Sequence, residues 1–180
     1  MYKIFRNFLL RDDRGFLQKN LLLNIQKKTG FKIVESFFSY CSKPNVVRGI
    51  YMQTGKGIEA KLLTLIEGEL TWIIVDMRKT SKNFLKNYRI KLKKFETVYI
   101  PEGYAHGSIS QSKSLVHIFA NKKYNNKNSI NVNWKDTYLN IKWPIKKNIK
   151  ITISKSHNNY KFLKEIKFFK KIKLKIKKPN

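Results

Sequence analysis

Apolar residues along this chain gather in short runs divided by polar turns, the spacing of an all-β protein with little helix. Leu62–Ile66 and Glu69–Val75 are rich in Leu, Ile, Val, Thr and Trp on either side of Glu67-Gly68, and read as two paired strands of a hairpin. Residues 46–53 supply another strand. Tyr88–Leu92 alternates Tyr88, Ile90 and Leu92 with Arg89 and Lys91, a half-buried strand with one wet face. Thr97–Ile100 and Leu115–Phe119 are read as flanking a turn at Ala105-His106-Gly107, which sets His106 at a strand mouth. Phe31–Tyr40 is aromatic and branched, hence a strand. Before it, Asn20–Thr29 reads as a short helix ending at Gly30. Residues 1–20 give strand, polar turn at Arg11–Gly15, and strand. Lys122–Asn131 is a polar loop, leading through Asn133–Asp136 to Leu139–Pro144. The pattern predicts one all-β sandwich or barrel over residues 1–160, with short peripheral helices.

Residues 161–180 form a basic tail of a different kind. Phe162, Ile166 and Phe169 fall at helical spacing among lysines, and Ile172–Lys177 then alternates with period two. Either the tail lies on an anionic membrane surface, a weak contact, or it packs its Phe and Ile face on the barrel.

At 180 residues with 42% hydrophobic content the chain can bury a core. No apolar run approaches the ~20 residues of a membrane span, and the first residues lack a signal peptide's apolar centre. A single Cys41 suits a reducing cytoplasm. The formal charge of +28 raises the question of nucleic acid. The excess is spread along the chain as Lys beside many Asn and Ile, residues that adenine- and thymine-rich codons specify. No nucleic-acid partner is therefore expected, though a positive surface would draw in a diphosphate. Three His without a carboxylate cluster predict no metal, and no cofactor is expected.

Several motifs then stand out in order: Asp13-Arg14-Gly15-Phe16, Arg48-Gly49-Ile50-Tyr51-Met52-Gln53, Lys61-Leu62-Leu63, Val75-Asp76-Met77-Arg78, Ile100–Gly107, Trp134-Lys135-Asp136 and Ile141–Pro144. Together they resemble the dTDP-4-dehydrorhamnose 3,5-epimerases, jelly-roll (cupin) enzymes acting on nucleotide sugars. The resemblance implies a jelly-roll fold and a homodimer in which an N-terminal strand crosses to the partner. Phe5–Leu10 is apolar enough for that.

It also implies chemistry. The family removes a proton at C5, then at C3, next to a 4-keto group. It uses a His base oriented by an Asp, a Tyr acid, and a Lys where the enolate oxygen develops. Lys61 matches that lysine, His106 the second pocket histidine, Arg48 and Arg14 the nucleotide-sugar arginines, and Gln53 closes its motif. The base position holds Tyr51. Counted without gaps from His106, the acid falls on Phe119, and the Asp partner falls on His157. Tyr124 matches a second family tyrosine. A Gln-x-Asn substrate contact falls on Ser36 and Phe38, and a Glu on Lys19. Candidate catalytic residues are thus Tyr51, Lys61, His106, Tyr124 and His157; candidate substrate-binding residues are Arg14, Arg48, Gln53, Lys61 and His106. Arg14 and Arg48 are expected to converge on one diphosphate, Arg48 as a buried charge. A Tyr51 phenol beside Lys61 is expected below its usual pKa of ~10, with His157 able to take its proton. Two functions remain open. One is an isomerase of altered or reduced activity on a nucleotide-activated 4-keto-6-deoxy sugar in surface polysaccharide biosynthesis. The other is a binder of such nucleotides that has lost base and acid.

Overall fold

In the computed structural model, residues 1–19 and 22–169 are described, so the alternating Ile172–Lys177 lies outside them. Three short strands come first: β1 (Lys3–Arg6), β2 (Phe8–Asp12) and β3 (Gly15–Lys19). Helix α1 (Leu22–Thr29) follows, then β4 (Glu35–Cys41), β5 (Val47–Gln53), β6 (Lys61–Glu67) and β7 (Leu70–Asp76). The remaining elements are β8 (Asn87–Lys91), β9 (Glu96–Ile100), β10 (Tyr104–Ser110), β11 (Ser114–Ala120), β12 (Ser129–Asn131) and the one-turn helix α2 (Lys155–Asn158).

Two five-stranded antiparallel sheets form an all-β jelly-roll sandwich. The first runs β1-β9-β6-β11-β4 and the second β12-β5-β10-β7-β8, while β2 and β3 make a separate hairpin. Alternate residues of each sheet point into the space between them. Leu63, Leu65, Val98, Val116 and Ile118 come from the first sheet and Trp72, Ile74 and Ile90 from the second.

The outer faces are also covered in part. On the second sheet, Ile50, Ile73, Val75 and Ala105 lie under Val132, Leu139, Leu163 and Phe169. β7 is therefore buried on both faces along its whole length, which is why it reads as an unbroken apolar run. Asp136 pins this cover, accepting the Tyr138 and Leu139 N–H groups on one oxygen and the Leu163 N–H, at 2.6 Å, on the other. On the first sheet, Ile25 and Phe31 pack over Leu62 and Phe119.

Three expectations need correction. The arms around Gly68 do not pair: β6 belongs to one sheet and β7 to the other, and the turn is a corner between sheets. Gly68 is required there, since its φ is +80° and a Cβ would run into the Lys113 carbonyl. Ala105-His106-Gly107 is not a turn but the buried middle of β10; the chain turns at Pro101–Gly103. The spacing of Phe162, Ile166 and Phe169 gives a single 3-10 turn at Leu163–Glu165, with Leu163 and Phe169 buried rather than one face of a helix.

Candidate active site

Between the sheets opens a cavity of about 430 Å3, lined from both sides: Phe37 of β4, Tyr51 of β5, Lys61 of β6 and His106 of β10, with Tyr124, His157 and Tyr160 from the loops and α2. Gly49 sets its floor. Its φ is +94°, and a Cβ there would fall 2.6 Å from the His106 carbonyl oxygen. Backbone therefore approaches backbone, and Tyr51 pairs directly opposite His106 with ring centroids 5.6 Å apart.

The charges in this space are arranged around Lys61. Its ammonium stands 3.1 Å from a carboxylate oxygen of Glu59, with the two side chains 11% and 5% exposed. It also lies 4.8 Å over the Tyr51 ring and 5.5 Å over Phe37. Burial, and then the neighbouring Glu59 carboxylate, push the Tyr51 phenol well above its ordinary 10. The expected phenolate is thereby overturned: Lys61 is neutralised by Glu59, and the phenol feels that carboxylate's negative charge. Tyr51 is a neutral acid here. Its hydroxyl lies beside Glu59 without a well-aligned hydrogen bond among the described residues.

His106 is buried, with Trp72 at 6.1 Å and its Nδ1 unpartnered among the described residues. Burial first and Lys61 second hold it far below the ordinary 6.5, so the imidazole is neutral. His157, on α2, lines the same cavity with its ring 4.8 Å from Tyr160; burial and the nearby Arg48 hold it low as well. Among the described residues it makes no hydrogen bond to Tyr51. Tyr124 is 57% exposed, stacks at 6.3 Å on Tyr51, and accepts its place from Glu35, whose carboxylate takes the Tyr124 N–H at 3.2 Å.

Three candidates stand differently from what the sequence suggests. Arg48 lines the cavity but is exposed rather than buried, donating to the Tyr40 carbonyl at 2.7 Å. Arg14 does not line it. It sits on the β2–β3 turn, paired with Asp12 at 2.6 Å and 91% exposed, so within one chain it does not converge with Arg48. Gln53 is buried behind the wall, where its amide oxygen takes the Asn125 N–H at 2.9 Å and steadies the Tyr124 loop.

Strand alternation decides what the substituted positions mean. Ile118 lines the cavity, so Phe119 must point outward, where it packs with Leu62 and Phe31. Glu35, Phe37 and Ser39 line the cavity, so Ser36 and Phe38 face out, with His117 bonded to Ser36 at 2.7 Å and stacked on Phe38. The residues carried onto 36, 38 and 119 therefore take nothing from the cavity. Sequence reasoning missed Glu59, Glu35 and Tyr160. Glu59-Ala60-Lys61 carried a signal, since residues two apart on an extended chain share a face; Tyr160, beyond a variable loop, carried none.

A jelly-roll sandwich that gathers a lysine, a neutral imidazole and several phenols around one cavity is built for small-molecule proton chemistry. The match to known proteins narrows this. The family model for dTDP-4-dehydrorhamnose 3,5-epimerase matches residues 2–165, and the chain belongs to that family. It is 29% identical over 147 residues to the Shigella flexneri dTDP-4-dehydrorhamnose 3,5-epimerase, covering 79% of this chain and 81% of that one. The crystal structure of the Elizabethkingia anophelis dTDP-4-dehydrorhamnose 3,5-epimerase superposes with a TM-score of 0.81 at 27% identity, covering 91% and 92% of the two chains. A Legionella pneumophila dTDP-6-deoxy-D-glucose-3,5-epimerase, solved with dTDP-4-keto-L-rhamnose, shares the fold at a TM-score of 0.81 and 23% identity, covering 89% and 87%. No three His, Cys, Asp or Glu side chains cluster to hold a metal among the described residues, and no described helix is long and apolar enough to cross a membrane.

Proposed function

We propose that this protein binds a dTDP-activated 4-keto-6-deoxy sugar in the cavity and exchanges protons on the carbons next to the keto group, as an epimerase of altered activity serving surface polysaccharide synthesis. The observation that carries this reading is the convergence of Lys61, His106 and the Tyr51, Tyr124 and Tyr160 phenols on one cavity. The buried Lys61 ammonium sits where it can take the negative charge of an enolate, worth ~3–4 kcal/mol for one good donor. Neutral phenols supply protons. Arg48 at the rim suits a diphosphate.

The exposed Phe8, Leu10, Phe16 and Leu17 of the β2–β3 hairpin support a homodimer. In such a dimer the hairpin would bring Arg14 to the cavity of a second copy, which accounts for its distance from its own. The competing reading, a non-catalytic binder, is favoured by the loss of the base histidine at Tyr51. It is weakened because Ser36, Phe38 and Phe119 lie outside the cavity.

One experiment separates them. Purified protein is incubated with dTDP-4-keto-L-rhamnose in deuterated water and the sugar is examined by NMR. Deuterium at C3 or C5 is expected. Tight binding by calorimetry with no label at either carbon would establish the binder instead.

A further inference from the structure

The site described above has an acid, a cation and a neutral imidazole, and its base position is filled by a phenol that holds its proton. Yet a carboxylate stands beside that phenol. Glu59 is buried to 8% exposure, lines the cavity, and among the described residues one of its oxygens has no hydrogen bond apart from the 3.1 Å approach of the Lys61 ammonium. The same Lys61 ammonium that meets this oxygen lies 4.8 Å over the Tyr51 ring, so carboxylate and phenol share one wall of the cavity.

We propose that Glu59 is the catalytic base of this site, its carboxylate standing beside residue 51 where the family's imidazole is missing. This rests on the epimerase reading. Carboxylates do such work elsewhere: proton removal next to a carbonyl by Asp or Glu is well established when a donor holds the oxygen. The other acceptors in the cavity are poorer. His106 is enclosed beside Lys61, where adding a second positive charge is unfavourable, and His157 faces Arg48. Glu35 is turned to the Tyr124 backbone.

The Glu59–Lys61 pair fits the geometry of enolisation. A carbonyl oxygen and the hydrogen on its neighbouring carbon are separated by a distance of the same order as the two charges. Lys61 has three N–H bonds, so it can turn one to the substrate oxygen while keeping another on Glu59. The carbon–hydrogen bond then breaks with its proton passing to Glu59. Its electron pair forms the carbon–carbon double bond, and the former carbonyl oxygen takes the negative charge against Lys61. The enolate collapses by taking a proton at carbon from a phenol, with Tyr124 or Tyr160 available. That phenolate recovers its proton from water, and Glu59 releases its own.

The test uses the full chain, dTDP-4-keto-L-rhamnose and deuterated water, with dTDP binding measured by calorimetry. Glu59→Gln keeps the shape and removes the base, and should lower saturating deuterium exchange at least 100-fold, the range for loss of general-base catalysis. Its dTDP affinity should stay near wild type, while its melting temperature should fall because the buried Lys61 loses its partner, so exchange is read on the folded fraction. Glu59→Asp should retain a measurable intermediate rate, and its folding guards against a trivial loss. A merely structural carboxylate predicts the opposite sign, because removing it frees Lys61 to hold the enolate and turnover would stay level or rise. Exchange within fivefold of wild type in Glu59→Gln overturns the proposal while leaving the epimerase reading intact. So does a variant whose loss is entirely in KM. Wild-type protein that labels neither carbon overturns both.

Discussion

The two faces of β4 and β11 carry residues of similar kind to different ends. Inward, Glu35, Phe37, Ser39 and Ile118 border the cavity with Lys61 of the adjoining strand. Outward, Phe38, His117 and Phe119 form a row of rings, with His117 4.4 Å from Phe38 and 4.1 Å from Phe119 and hydrogen-bonded to Ser36. A histidine, a serine and aromatics occur on the outer face much as they do within. Chemistry belongs to the inner face because burial there leaves Lys61 and Glu59 facing each other where charges are weakly screened. A residue's type tells little until its face is known.

The most severe break in that contrast would come from the charge at the cavity's centre. Lys61→Met keeps the aliphatic stem and removes the ammonium. It should reduce deuterium exchange by about 10³-fold, or ~4 kcal/mol of transition-state stabilisation. His117→Ala on the outer face should leave exchange within twofold. Equal losses in both would mean that face does not decide function.

The outer face should reveal itself in stability instead. Phe31 is 2% exposed and packs over Leu62 and Phe119. Phe31→Ala should cost about 3 kcal/mol in denaturant unfolding, the usual range for a buried aromatic, without altering turnover of the folded fraction.

This separation also shows what the sequence made legible. The strand segments, the all-β class, and the convergence of Tyr51, Lys61, His106 and His157 follow from runs and motif order. The partners of β6 and β7 do not, because a strand buried on both faces has no polar side to fix its orientation, and a corner at Gly68 reads like a hairpin. Position-by-position matching along β11 does not reveal which face a residue takes, because a single step along a strand exchanges cavity for exterior, as Ile118 and Phe119 show. The state of Tyr51 was equally hidden. It depends on Glu59, whose spacing from Lys61 hints at a shared face but does not show the Tyr51 ring beside the pair.

A smaller test compares the two histidines of β10 and β11 by pH. Burial and Lys61 hold His106 well below 6.5, and burial alone lowers the more exposed His117. In the unfolded chain both titrate near 6.5, so on acidification the unfolded state takes up protons that the folded state refuses. The stabilisation is complete above about pH 6.5 and is lost as pH falls below it, with a slope of at most ~1.4 kcal/mol per pH unit from one fully shifted group. Urea melts between about pH 5 and pH 7.5 should show the slope. His106→Gln should flatten it more than His117→Gln. The reverse order would place the buried imidazole on the wrong face.

The smallest expected effect is the most pointed. Phe119 occupies the position to which ungapped counting assigns the family's acid tyrosine, so Phe119→Tyr restores a phenol there by sequence. If the contrast between faces holds, that phenol lies outside the cavity, next to Leu62 and His117, where no proton can pass to a bound sugar. Exchange should change by less than twofold. Stability should shift by no more than about 1–2 kcal/mol, because a new hydroxyl on a side chain 8% exposed must find water or a partner. Ile118→Tyr provides the opposite control, since it would push a phenol into the cavity and should obstruct dTDP-sugar binding. A tenfold or greater gain in exchange from Phe119→Tyr would show residue 119 reaching the substrate, and the assignment of faces along β11 would have to be reversed.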